Sequence, residues 1–194
     1  MHSQTPRNLP WLDRLAVHIP GYGGYLDRGN RRSADRALRD AIANRLAKAR
    51  AGLEKAIRSC VERDALDILP EIEGLEHEGP KALGEISAQE KERHQLLTAV
   101  STLERIRGHL DRVINRLQSA GSGTDAFYSS QELDVPMADS LHAFDLSLFE
   151  RAEALVQRFD APDLDHDFLA DVESDLNKFE QKLDERALLL QGIR

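Results

Sequence analysis

The sequence predicts an all-α fold, an elongated helical bundle of two antiparallel coiled-coil-like hairpins with a short N-terminal helix and a glycine/tyrosine loop ahead of them. Three observations predict it. Apolar residues recur at alternating intervals of three and four through long stretches poor in proline, which is the a/d spacing of a helical seam. No stretch of useful length alternates apolar and polar residues as a half-buried strand would. The composition is 41% hydrophobic, 31% charged and 5% aromatic; a disordered chain could share that charge but would lack the periodicity.

The elements follow in chain order. Residues 8–18 read as a short amphipathic helix, with Leu9, Trp11, Leu12, Leu15 and Val17 as apolar surface and Pro10 suited to a first turn. Ile19-Pro20-Gly21-Tyr22-Gly23-Gly24-Tyr25 is a turn, because Pro-Gly and Gly-Gly do not continue a helix. Its glycines permit positive φ or close backbone approach, and its tyrosines are expected to pack back onto the body. From about Asn30 to Leu69 a seam of Leu38, Ile42, Leu46, Ala49, Leu53, Ala56 and Cys60 runs in steps of four and three, widened by Ile57, Val61 and Ile68. Pro70, Gly74, Gly79 and Pro80 punctuate an acidic stretch and predict the end of this helix and a turn.

The next helix is expected from Pro80 or Ser87 to Ser119. Leu96, Leu103, Leu110 and Leu117 stand seven apart, with Ala99, Ile106 and Val113 between them. Two long helices joined by a short turn predict an antiparallel hairpin. Residues 120–136 read as a loop, opened by Ala120-Gly121-Ser122-Gly123 and anchored by Phe127 and Tyr128. A helix over 137–160 carries Leu141, Phe144, Leu148, Ala152, Leu155 and Phe159 on one face, and Ala161-Pro162 breaks it. The last helix, 163–191, is capped by Asp163 and carries Leu169, Val172, Leu176, Phe179, Leu183 and Leu190. The division is therefore 1–29, 30–119, 120–136 and 137–194, with 30–194 forming one bundle whose longer hairpin extends past the shorter.

Charge is distributed unevenly. Residues 1–60 hold 12 Lys+Arg against 5 Asp+Glu, and residues 61–194 hold 14 against 29. Such asymmetry marks either an anion-binding surface or basic and acidic helices that complement each other within a chain or between chains. The second reading is preferred. The overall charge of −8 opposes nonspecific nucleic-acid binding. One cysteine, Cys60, excludes an intramolecular disulfide framework and sits at a seam position as a small hydrophobe. The N-terminus leads into no signal-type apolar run and no segment is long and apolar enough to span a bilayer; the expected location is cytoplasmic.

The search for chemistry nominates no catalytic residue, no cofactor site and no metal site. The glycines of 21–24 lack a nucleotide-binding spacing and a preceding strand. Asp139-x-x-His142 and Asp163-x-x-His166 use Asp where bundle di-metal sites use Glu, and both fall at expected helix starts, where Asp caps. Asp163-Leu164-Asp165-His166-Asp167 fails a calcium loop at both diagnostic positions, Phe168 and Ser174. His94 and His109 lie on charged helix faces and are expected to be solvated.

One segment stands apart. Tyr22 to Arg39 joins two aromatics to five arginines around a helix start, where cations oppose the helix dipole. Asp27 and Asp35 offset part of this, and Asp35 is spaced for pairs with Arg31 and Arg39. Ile19-Pro20-Gly21-Tyr22-x-Gly24-Tyr25, then Arg31-Arg32-x-x-Asp35 and Leu38-Arg39, resembles the opening of a group of uncharacterised bacterial all-helical proteins. The resemblance implies a bacterial origin and a helical fold, and carries over no activity, cofactor or ligand residue. The segment reads as a structural corner or as a partner-binding surface of Trp11, Tyr22, Tyr25, Arg28, Arg31, Arg32, Arg36 and Arg39, residue types typical of interface hot spots.

The expectation is a non-enzymatic scaffold or adaptor that binds protein or itself. The alternatives are a peripheral protein on anionic membrane surfaces, through residues 8–18 and the arginines, and a bundle-type metal protein or enzyme.

Overall fold

The computed structural model describes residues 10–74, 82–119, 125–129, 133–160 and 166–192. They form α1 (Pro10–His18), α2 (Arg31–Gly74), α3 (Ala82–Ser119), α4 (Asp125–Ser129), α5 (Val135–Asp160) and α6 (His166–Gly192), and no strand occurs among them. The expected turn between the long helices, the Gly/Ser loop, the Pro162 break and the Asp163 cap lie outside the described residues.

The local signals explain most boundaries. Ahead of α2 the Asp27 carboxylate accepts from Gly29 N and Asn30 Nδ2, both at 2.9 Å, an Asx turn that delivers the chain to the helix. Asn30 O then accepts the first helical bond, from Ala34 N at 2.8 Å. Asp134 caps α5 by accepting from Met137 N at 2.8 Å. Asp139 is therefore well inside α5 and is not the cap its sequence setting suggested. Pro70 does not end α2, which continues to Gly74. A proline forfeits one intrahelical bond, and only a single turn follows this one. In the loop, Gly21 and Gly24 take φ of 80° and 73°, the left-handed region that favours glycine.

The four long helices form a square. α2 lies beside α3 and α5, and α6 lies beside the same two, so α2 and α6 face each other across the diagonal. α2 and α3 are antiparallel: Arg39 reaches Leu117 O at 2.7 Å and Arg50 reaches Asp111 at 3.1 Å. α5 and α6 also run in opposite senses. Along the α2·α5 seam Arg45 pairs with Glu153 at 2.5 Å, and a Cβ on Gly52 would lie 2.8 Å from Phe159 Cβ. Residue numbers rise together there, so α2 and α5 run the same way. α3 and α6 do likewise, joined by Arg105–Glu173 at 2.6 Å, His109–Glu180 at 2.9 Å and Arg116–Asp184. His109 is thus engaged in a seam, with 12% of its side chain exposed, and not solvated as its charged neighbours implied.

The core is the convergence of four seams: Leu38, Ile42, Leu46, Ala49 and Leu53 from α2, Leu103, Leu110 and Val113 from α3, Leu141, Leu148, Ala152 and Leu155 from α5, and Val172, Leu176 and Phe179 from α6. At roughly 25 cal/mol per Å2 of apolar surface, such burial is the main term holding the helices together. α1 lies on α5 and α4 touches α6.

The hairpin α2/α3 outruns its partners. Gly52 already stands opposite Phe159, one residue before α5 ends, and the α3·α6 pairs place the start of α6 near residue 98. Beyond that level, among the described residues, α2 and α3 continue without a third helix beside them. We call this part the arm and the opposite end of the bundle the base. Val61 and Leu97 stand at the same level of the α2/α3 register and are 51% and 56% exposed. Val61 therefore does not widen the buried stripe; the helix that would cover it has ended.

Candidate functional site

The base holds a cluster of polar side chains buried between segments far apart in sequence. Tyr22 and Tyr25 enter from the glycine loop, Arg31, Asp35 and Arg39 from the first turns of α2, Tyr128 from α4, His142 and Asp145 from α5, and Arg186 from the end of α6. Tyr25, His142 and Asp145 are fully buried, and Tyr22, Asp35, Tyr128 and Arg186 are at most 8% exposed.

Arg186 is the hub. Its Nε donates to Asp145 Oδ1 at 2.6 Å, and its Nη2 donates to Asp35 Oδ1 at 2.8 Å across the bundle diagonal and to Tyr25 Oη at 2.9 Å. Tyr25 donates its own proton to Asp145 Oδ2 at 2.5 Å. Asp35 Oδ2 accepts from Tyr128 at 2.7 Å and from Arg39 Nε at 2.9 Å. Arg39 also donates to Leu117 O, closing a carbonyl of the last turn of α3, where a cation meets the negative end of the dipole. Tyr22 Oη lies 2.8 Å from His142 Nδ1, and the His142 ring stacks on Tyr25 at 4.8 Å between centroids. Arg31 turns inward as well, donating to Tyr25 O at 2.8 Å and Phe127 O at 3.2 Å.

Burial and charge set the protonation of the cluster. Burial works against ionised Asp35, but Arg186, Tyr128 and Arg39 outweigh it and hold the carboxyl below the ordinary range. Burial raises Asp145, with Arg186 and Tyr25 pulling against the rise. Burial also opposes the charge on Arg186, and Asp145, Tyr25 and Asp35 overcome it. Both tyrosines are raised, first by burial and then by Asp145, so their hydroxyls remain donors. Burial lowers His142 to about 3, leaving a neutral imidazole at physiological pH.

The residues singled out from sequence divide into two groups. Tyr22, Tyr25 and Arg31 are buried, and Arg39 is half-buried; turned inward, they form a corner. Arg28, Arg32 and Arg36 are exposed on the outer side of the base. The Arg32 guanidinium lies 4.8 Å over the Tyr128 ring, and Arg36 pairs loosely with Asp40 at 3.7 Å. Trp11 lies in α1, and its side chain is outside the described residues.

Sequence reasoning missed Tyr128, His142, Asp145 and Arg186 as members, although a signal existed. Leu176, Phe179, Leu183 and Leu190 leave one gap in their three-four alternation, and Arg186 fills it. In α5 the alternation from Leu141 to Leu148 passes through Asp145, not through the expected Phe144, which is only partly buried. Arg31 and Asp35 continue the α2 seam below Leu38 in the same way. A polar layer thus replaces the apolar one at the base. A buried polar layer specifies register at some cost in stability, and this one holds five segments of chain in a single arrangement. Its polar side chains are turned inward and are closed to solvent among the described residues. Among the described residues no group of three or more His, Cys, Asp and Glu is placed to hold a metal ion.

Comparison of the chain with protein-family models, with curated proteins and with solved structures returns no match.

Proposed function

We propose that this protein is a non-enzymatic helical scaffold whose projecting α2/α3 arm is its protein-binding surface. One observation carries the reading: α2 and α3 continue past the ends of α5 and α6 and leave Val61 and Leu97 exposed at the neck. Large apolar side chains flanking an arm that, among the described residues, has only two helices fit helix-in-groove or bundle-completing recognition, in which a partner supplies a third and fourth helix. The polar layer serves this role by fixing the base from which the arm extends. A photo-crosslinking residue placed at Val61 or Leu97 in the full chain in its native cell is expected to give discrete adducts, and one at exposed Ser140 on the bundle none. If neither arm position gives an adduct above that control, the reading fails.

A second reading is a peripheral protein on an anionic membrane surface. Val17 is 80% exposed on α1, and Arg28, Arg32 and Arg36 are exposed nearby in the chain. Among the described residues no helix is long and apolar enough to cross a membrane, so contact would be interfacial. Flotation with anionic vesicles at physiological salt tests it, and protein remaining at the bottom of the gradient excludes it.

A further inference from the structure

We propose that α1 and the glycine loop, residues 10–25, form a strap that releases from the bundle as a unit in acid and uncovers a second buried face of α5. The inference is independent of the arm. Leu141, Leu148, Ala152 and Leu155 of α5 belong to the four-helix core, whereas His142, Leu146 and Phe149 stand at i, i+4 and i+7 on another side of the same helix. These three are at most 9% exposed. The strap runs antiparallel along them: Arg14 pairs with Glu150 at 2.6 Å, His18 stacks on Phe149 at 5.4 Å, and Tyr22 reaches His142 at 2.8 Å.

The bundle does not depend on the strap. The Asp145–Arg186, Arg186–Asp35 and Asp35–Arg39 pairs join α5, α6 and α2 without it. Leu15 and Ile19 of the strap are buried, but Val17 is 80% exposed and the Arg14–Glu150 pair is open to solvent on both sides. Residues 26–30, which join the strap to α2, are all exposed and supply the pivot. Opening such a segment over an intact core costs less than unfolding the core.

Two tyrosines tie the strap down. Tyr25 bonds Asp145 and Arg186, and Arg31 holds its carbonyl oxygen. The Tyr25 and Tyr22 rings lie 4.8 and 5.8 Å from the fully buried His142 ring, so their departure hands the imidazole to water. Burial lowers His142 to about 3 in the closed form, and release returns it to the ordinary 6.5. The released form therefore binds the extra proton between those values, and acid favours release. For this one proton the opening constant rises about 25-fold from pH 7 to pH 5. The charged and titratable groups around His142 leave that sign in place. Tyr22 and Tyr25 of the loop are raised and stay protonated, and Arg186 of α6 stays charged. Asp35 of α2 keeps Arg186 and Arg39 when the strap leaves, and His18 of α1 is exposed in the closed form already. On α5 itself Asp139 and Asp145 stand one turn to either side. Asp145 is raised by burial and resists release as it takes up its proton, equally with and without His142.

Hydrogen exchange of the full chain at pH 7 and pH 5, corrected for the intrinsic rate at each, tests this. The amides of Ile19 and Tyr22, bonded to Leu15 O and Ile19 O, report the strap, and those of 103–114 report the bundle. Strap amides should be less protected than 103–114 at both pH values, and their protection should fall about 25-fold from pH 7 to pH 5. Urea below the unfolding transition should leave strap protection flat and lower that of 103–114, because only global unfolding exposes much surface. In His142→Gln the fall with pH should shrink to a small fraction of the native one. Tyr22→Phe, which keeps the ring but removes the hydroxyl from His142, should loosen the strap at pH 7 and leave 103–114 unchanged. Strap amides with the protection and urea dependence of 103–114 overturn the proposal, since the strap then opens only with the whole molecule. Strap protection that does not change with pH overturns it too, as does a native-like pH response in His142→Gln. The native chain alone decides the first two outcomes, so the proposal remains falsifiable if a variant fails to fold.

Discussion

Arg186 and Asp145 sit where a heptad seam would ordinarily place leucine. Each is held by charge-assisted bonds, and each is costly to leave unpaired. Arg186→Ala or Asp145→Ala is expected to lower the unfolding free energy by about 3–5 kcal/mol in urea titrations followed by circular dichroism. Arg14→Ala, which breaks an exposed pair with Glu150, should cost less than ~1 kcal/mol. His142 gives the cluster a pH dependence. Its folded pKa, about 3, lies below the unfolded value, so the unfolded chain binds the extra proton between about pH 6.5 and 3. The stability contributed by neutral His142 is present above pH 6.5 and drains away as pH falls, at up to ~1.4 kcal/mol per unit. Depressed Asp35 adds a loss that begins lower, as pH falls below the unfolded carboxyl value. Raised Asp145 acts in the opposite sense, since it binds its proton more tightly in the folded state. Stability measured from pH 7 to pH 5 should therefore fall in the native protein and fall less steeply in His142→Gln; equal slopes would exclude His142 as the source.

The helices meet at distances set by particular residues. At Gly52 a Cβ would come within 2.8 Å of Phe159 Cβ and 3.1 Å of its carbonyl oxygen, so only glycine admits α5 this close to α2. Gly52→Ala should cost about 1–3 kcal/mol through overpacking, despite its gain in helix propensity. Gly108 is the control: it lies inside α3, and an added Cβ meets nothing within 4 Å. Gly108→Ala should stabilise by roughly 0.5–1 kcal/mol. Thermal unfolding of the two variants in parallel checks both signs. At the sequence level the two glycines look alike, since each stands beside an unbroken apolar seam in a long helix.

For the molecule as a whole, the unequal lengths of the hairpins decide which seam positions become core and which become surface. Leu53 and Leu103 lie where four helices overlap and are fully buried; truncation to Ala should cost about 2–5 kcal/mol. Val61→Ser and Leu97→Ser, only two turns away along the same helices, should each change stability by less than about 1 kcal/mol. Chemical denaturation of the four variants tests where the four-helix body ends, independently of whether anything binds the arm.

Five of the six helices, the antiparallel long hairpin and most core positions were legible in the residues, because helix periodicity is a local property and seams such as Leu103–Leu117 repeat it without interruption; the five-residue α4, inside the segment read as a loop, is too short to show a period. The inward turn of Tyr22 and Tyr25 was half legible: a glycine loop must pack its aromatics somewhere, but the residues near it in sequence do not say where. Asp145 and Arg186 could be seen as polar interruptions of their seams, yet each is uninterpretable alone, since a charge at a seam position is either a fault or one half of a pair. Only the tertiary structure brought them together, because what makes a buried charge tolerable is a partner 41 or 151 residues away in the chain. The same holds for the exposure of Val61, which follows from where α5 stops and not from any residue near Val61 itself. Local pattern determined which segments are helices; relative helix length and long-range charge pairing decided which of their faces are core, corner or open surface.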